Sequence, residues 1–210
     1  MMEQAGKQEK RLTKFLSEAR ESDERISSAA FLGEEVENFD FTDLECSHVI
    51  FDGCQFTNCA FTGTAFYQTL LRGCSFSGCC FGSTYWKECQ FRDTKADGCD
   101  FRKSRLKSCT LNGCFLRYAN FFEGVWEKTD LTDCNLREAV LSAMRFSKIR
   151  LERVDVSQVD FFQTMLKNVD LSTCSIEGIT VSESLRELRG STIDAAQAAV
   201  LAKLMGVQVI

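Results

Sequence analysis

Proline does not occur once in the 210 residues, and histidine occurs once. Average proline usage is about 5%, so its complete absence is a demand of the backbone. A chain whose N–H groups are nearly all committed to ladders has no place for a residue with none to give. GxSxG, Walker and HExxH patterns are missing, the lone His48 has no evident catalytic partner, and no carboxylate pair has an obvious desolvated setting. No apolar run reaches the ~18 residues needed to span a bilayer, and no signal-peptide pattern is present. The expectations are a non-enzyme without cofactor or metal, away from membranes and located in the cytoplasm.

What is there instead is a period of five. From Phe31 to Val181, 31 consecutive positions spaced five apart are all hydrophobic, without insertion or deletion. In a chain that is 44% hydrophobic, independent placement gives such a run with a chance of about 10^-11, which marks an internal repeat. Phe and Leu dominate these centres. Two residues before each centre stands a small or apolar residue, as at Cys54, Cys59, Thr64, Thr69, Cys74 and Cys79, and Glu34 alone in that series is charged. Neither the helical period of 3.6 nor the strand period of 2 yields two buried positions in every five, so the chain must turn as a coil.

The 12 cysteines follow the same register. Ten occupy the small position before a centre and no CxxC pair occurs, which argues against a zinc site. Cys54 with Cys74, and Cys114 with Cys134, are separated by one coil of the count and would stack within the broad range for a disulfide. The expected state is nevertheless buried reduced thiols acting as small hydrophobes.

The unit resembles the pentapeptide-repeat family, A(D/N)LXX, as in Cys54-Gln55-Phe56-Thr57-Asn58, Cys99-Asp100-Phe101-Arg102-Lys103 and Cys134-Asn135-Leu136-Arg137-Glu138. The resemblance implies an all-β solenoid, a right-handed quadrilateral β-helix with five residues per side and four sides per coil, over residues 29–183. With strands stacked about 4.8 Å apart, nearly eight coils make a rod roughly 37 Å long.

The ends depart from the register. Within residues 1–28, Leu12, Phe15, Leu16 and Ala19 fall at helical spacing among charged residues, predicting an amphipathic helix that caps the first coil. In residues 184–210, Asp194 offers an N-cap for a helix through Met205, Gly206 a stop, and Val207 to Ile210 a short strand. Asp194, Gln197, Ala198, Leu201, Gly206, Val209 and Ile210 form a tail similar to that of the quinolone-resistance pentapeptide proteins of the Qnr type, while the unbroken count from Phe31 to Val181 predicts a smooth rod and resembles the loopless members of the MfpA type. The resemblance of the tail implies a homodimer through the C-terminal helix, with Ala198, Leu201, Leu204 and Met205 at a two-fold contact; an intramolecular cap is the alternative. It also implies a non-catalytic protein that binds type II DNA topoisomerase, DNA gyrase or topoisomerase IV, inhibiting it or modulating quinolone sensitivity by resembling duplex DNA in size and charge. A scaffolding repeat protein with another protein partner is the competing reading.

Charge sits uneasily with mimicry of a duplex. Residues 31–60 hold seven acidic and no basic residues, while residues 61–181 hold 16 basic and 14 acidic ones, and one side carries Lys87, Arg105, Lys107, Lys128, Arg145, Lys148 and Lys167. With a sequence pI near 5.1 and acids interspersed, direct nucleic-acid binding is not expected. The register also predicts outward aromatic residues as partner contacts: Tyr67 with Tyr85 on one side, Phe115 with Tyr118 on another, and Phe122 with Phe162 on a third.

Overall fold

The computed structural model describes Leu12 and residues 25–209. It is a parallel β-solenoid in which each coil stacks in register on the one before, as Trp86 pairs with Leu106 and Leu106 with Trp126. The first side of the square is a seven-stranded sheet running from Ile26–Ser27 to Arg145–Ser147, and the second is a seven-stranded sheet from Ala30–Leu32 to Arg150–Glu152. The third side begins with three strands from Glu35–Glu37 to Ser75–Ser77 and goes on as single bridges; the fourth is bridges only, from Asp40 and Ala60 to Asp160 and Thr180. The ladder thus begins at Ile26, ahead of the expected boundary at residue 29. Leu12 is helical and buried in the core; the rest of the expected N-terminal helix lies outside the described residues.

Each place in the five-residue unit has its own physical task. The centre fills the interior with stacked rings. On the fourth side Phe41, Phe61, Phe81, Phe101 and Phe121 form a continuous column with centroids 4.3, 4.7, 4.6 and 4.7 Å apart, and on the first side Phe66 lies 3.8 Å from Trp86. The small residue before the centre does more than fit. Its hydroxyl or thiol donates to the carbonyl of a centre in the preceding coil: Thr64 Oγ1 to Phe41 O at 2.7 Å, Cys74 Sγ to Phe51 O at 3.3 Å, Cys89 Sγ to Phe66 O at 3.4 Å. Cys and Thr suit this place because they are compact and still carry a donor.

The acidic or amide residue of the unit stabilises the turn after it. Asp100 Oδ1 accepts the Arg102 N–H, and Asn120, Asn135, Asp155, Asp160 and Asp170 repeat the contact at 2.8–3.0 Å, a side-chain mimic of a backbone turn. The residue two after the centre makes the corner. Its φ is positive, between 48° and 72°, at every corner from Ser28 to Asn168.

A branched residue at such a corner is a steric outlier. The Lys103 side chain, on a backbone at φ 61°, makes only an exposed ion pair with Glu123 at 3.7 Å, so Lys103→Val and Lys103→Gly lose the same contact. The expected result is Lys103→Val about 1–2 kcal/mol less stable than Lys103→Gly in urea titration, and equal midpoints would overturn the corner assignment.

Thr173 is the branched residue that the sequence does place at a corner, and there the positive φ is missing. The coil opens at this point. The corner bond that Lys128 N–H makes to Ser147 O at 2.8 Å has no counterpart from Lys148 among the described residues, and Arg153 N–H turns to Thr173 Oγ1 at 3.1 Å rather than to a backbone carbonyl. On the first two sides the sheets therefore end at Arg145–Ser147 and Arg150–Glu152, while the bridges Asp155 to Ser175 and Asp160 to Thr180 hold the other two sides together. Larger residues also stand at the small position beside the same seam: Met144, where the three preceding coils carry Gly124, Ser104 and Thr84, and Ile149, where they carry Thr129, Cys109 and Cys89. Gly124 yields space to Met144: a Cβ there would lie 2.8 Å from Met144 Sδ. The count of five runs unbroken through this region, but the rod is not smooth.

Candidate functional site

The C-terminal end of the rod is built as a cap with one face left over. Past Val181 the chain makes a 3-10 turn at Arg186–Leu188 that buries Glu187 completely. Its carboxylate accepts the Ser182 hydroxyl at 2.6 Å, the Ser182 N–H at 3.2 Å and the Gln163 N–H at 3.1 Å. Burial works against this charge, yet the bonds from Ser182 and Gln163 hold the carboxyl below the usual carboxylate range. Leu166, Asn168 and Leu171 N–H groups pair with Glu187, Gly190 and Thr192 carbonyls at 2.8 Å, closing the last coil.

The helix follows at Ala195–Leu204, with Asp194 as N-cap in a reciprocal capping box with Gln197. Gln197 also fastens the helix to the rod, since its Nε2 donates to Leu171 O and Cys174 O, each at 2.7 Å. Val200 and Leu201 pack against the core. Of the four residues expected at a dimer contact, Leu201 is half-buried against its own rod, while Ala198, Leu204 and Met205 are exposed, Met205 at 68%. Val207 and Val209 extend the uncovered apolar surface. The expected strand at 207–210 does not form over Val207–Val209: the Val207 N–H returns to Ala202 O at 3.1 Å. Gln197 was legible only as part of the tail pattern; its anchoring role depends on two carbonyls of the last coil that the sequence does not show beneath it.

The expected aromatic contacts are on the surface but do not converge. Phe115, Tyr118, Phe122 and Phe162 are exposed at 37–55%. Tyr67 and Tyr85 meet edge to face, 5.7 Å apart and half-buried, which makes them a cross-strand packing pair as well as surface. His48 sits at an exposed corner, its Nδ1 2.9 Å from Ser47 Oγ.

Every cysteine is a free thiol, and all but Cys80 are buried. Burial pushes Cys46 up to about 12 and Cys99 up to about 11, away from the range in which a thiolate forms at neutral pH. Among the described residues no three His, Cys, Asp or Glu side chains are arranged to hold a metal ion, and no helix is long and apolar enough to cross a membrane.

Part of the surface charge is paired between successive coils. Asp52 with Arg72, Asp97 with Arg117 and Asp133 with Arg153 lie 2.5–2.7 Å apart, and Lys107 with Glu127 lies at 3.7 Å. Arg105, Lys128, Arg145, Lys148, Arg150 and Lys167 have no such partner among the described residues. Four of them border the seam, where a cleft of about 370 Å³ is lined by Phe146, Ile149, Met165, Lys148 and Lys167, among others. The sequence carried two signals for it that the five-residue count passes over: Thr173 in the corner column and Met144 with Ile149 in the small column.

Five-residue sides, left-handed corners and an inward column of small donors define a class of repeat solenoid. The pentapeptide repeat region model matches residues 49–121 and the pentapeptide repeats (eight copies) model matches residues 116–153; the chain belongs to the pentapeptide-repeat family. Similar solved structures include a trypsin-treated variant of QnrB1, a plasmid-mediated fluoroquinolone resistance protein, at 20% identity over 88% of this chain and 99% of that one, with a TM-score of 0.42. HetL, a pentapeptide repeat protein involved in heterocyst differentiation regulation in the cyanobacterium Nostoc, is 14% identical over 85% and 91%, with a TM-score of 0.41. A pentapeptide repeat protein from the Arabidopsis thaliana thylakoid lumen is 19% identical over 59% and 78%, with a TM-score of 0.38. At these values the likenesses carry no inference about function. No curated protein matches the chain.

Proposed function

We propose that this protein is a non-catalytic binding rod that docks on type II DNA topoisomerase, chiefly gyrase, as a dimer joined through its C-terminal helices. The observation that supports this most is the division of labour on that helix. Gln197 and Leu201 fasten one face to the rod, while Ala198, Leu204, Met205, Val207 and Val209 leave an apolar face uncovered at the end of the chain. Such a face fits a self-complementary contact across a two-fold axis. The tail pattern shared with the quinolone-resistance type supports the topoisomerase as partner.

In such a dimer the acidic Glu34 to Asp52 stretch lies at the two far ends, and the unpaired basic groups of the last coils lie near the centre. Recognition then works through shape and specific contacts more than through imitation of a uniformly anionic duplex, which carries one charge per about 1.7 Å.

Leu204→Asp is the cleaner probe of the dimer, because Leu201 also packs on its own core. The expected result in light scattering is a parent at twice the 23.7 kDa chain mass and a Leu204→Asp variant at the monomer mass with an unchanged melting curve. In a gyrase supercoiling assay, with and without a fluoroquinolone, the parent is expected to inhibit or to relieve drug inhibition dose-dependently, and the variant to lose that effect. A monomeric parent without effect at tens of micromolar would sink the proposal and leave a scaffold with another protein partner.

A further inference from the structure

We propose that the cleft beside the Arg145–Ser147 strand docks an extended polypeptide segment in which carboxylate and apolar side chains alternate. The strand is the last of its sheet, paired with Val125–Glu127 on one edge only. Lys148 N–H, which by the rule of the coils before it donates to the next coil, makes no such bond among the described residues. An open parallel edge of this kind accepts an added strand, with main-chain bonds giving affinity and alternate side chains giving selectivity.

The chemistry around the edge selects the strand. Inward, Phe146 and Ile149 are only half-buried, and Met165, one coil on in the outward column of Arg145, adds an apolar far wall that is 45% exposed. Phe146 stacks on Trp126 at 5.4 Å, and the next centre of that column is Leu166 rather than another ring. Outward, Arg145, Lys148 and Lys167 are exposed and lack carboxylate partners among the described residues. A strand laid along the edge turns every second side chain toward Phe146 and the others toward Arg145 and Lys148. The cleft, about 370 Å³, falls in the lower part of the usual range for ligand pockets, about 300–1,000 Å³.

A nucleic acid fits less well. A duplex keeps its bases stacked inside and offers little to the apolar wall, and any nucleic acid would meet the carboxylates of Glu127 and Glu152 that stand among the cations. Two other cavities among the described residues carry no such case: the void between Phe76, Phe101 and Phe121 is about 20 Å³ and walled by the core, and the hollow at Asp133, Arg153 and Thr173 is bridged by its own ion pair.

The test uses the full chain and a fluorescein-labelled, end-blocked heptapeptide of sequence Gly-Glu-Val-Glu-Val-Glu-Gly, followed by anisotropy at low salt. Saturable binding is expected, weakened tenfold or more by the double variant Lys148→Glu with Lys167→Glu, and weakened likewise by N-methylation of alternate peptide bonds, which blocks strand addition. The Lys-for-Glu peptide is expected not to bind. Both lysines are exposed, so the double variant is expected to melt as the parent does; Met165→Glu gives a second reading from the apolar wall. No saturable binding, equal binding by the double variant, or binding of a labelled 16-base-pair duplex in preference to the peptide would each overturn the proposal. None of these readouts involves a topoisomerase, so the outcome is separate from that of the gyrase assay.

Discussion

Phe101→Asp is expected to divide the solenoid into two weakly coupled halves. Phe101 is the fourth ring of the five-ring column on the fourth side, 4.6 Å from Phe81 and 4.7 Å from Phe121, and is 5% exposed. Removing a buried ring alone costs about 3–5 kcal/mol. The carboxylate adds a desolvation cost, because the column around it is made of rings that offer it no donor. In a solenoid each coil touches only its neighbours, so the damage stays local instead of spreading over one shared core. At about 2–4 °C per kcal/mol for a chain of this size, the main transition falls by roughly 10 °C or more. Limited proteolysis then cleaves within the coils around residue 101, leaving resistant fragments on either side. A parent-like melt and digestion pattern would show that the five-residue register has been misassigned.

The second large effect is expected at the other end. Gln197→Ala removes two bonds from Nε2 to Leu171 O and Cys174 O and one half of the capping box with Asp194. Leaving a buried acceptor without its donor costs about 1–3 kcal/mol, and a short isolated helix has no stability of its own to offset that. The helix should therefore detach while the rod persists. Hydrogen exchange at 195–204 rises to that of an unfolded segment, and exchange in the coils before Val181 stays as in the parent. Gln197→Glu should be worse than alanine, since it turns a carboxylate toward two carbonyl oxygens. If the helix amides stay protected in Gln197→Ala, its docking rests on Val200 and Leu201 instead.

Taken together, these two variants separate the forces in the molecule. The middle of the rod is held by an apolar column repeated every coil, so its loss is felt as weakened coupling between the coils on either side. The end is held by a few polar contacts, so its loss is felt as detachment of one element. The dimer proposed above depends on the second, because the uncovered apolar face at Leu204 and Met205 is presented only while Gln197 holds the other face down.

The sequence by itself determined the solenoid. A side chain at every fifth place that must be buried, a small residue two places before it and no proline require a coil, and the resemblance to the pentapeptide repeats implied five residues for each of its sides. The same pattern placed the cysteines inside as thiols, Cys80 excepted, and put Phe115, Tyr118, Phe122 and Phe162 outside. Asp194 and Gly206 marked the ends of the last helix because caps are local, depending on bonds within a single helical turn.

The tertiary structure alone decided the seam and the docking of the helix. One threonine in the corner column looks innocuous in a repeat, yet Thr173 lacks the left-handed turn and its hydroxyl takes the Arg153 N–H where the second side of the square opens. Gln197 reads as an ordinary helix residue until the carbonyls of Leu171 and Cys174 are brought beneath it. Both depend on groups at least a full coil apart in sequence, which the repeat period counts as equivalent and only the stacked coil brings into contact.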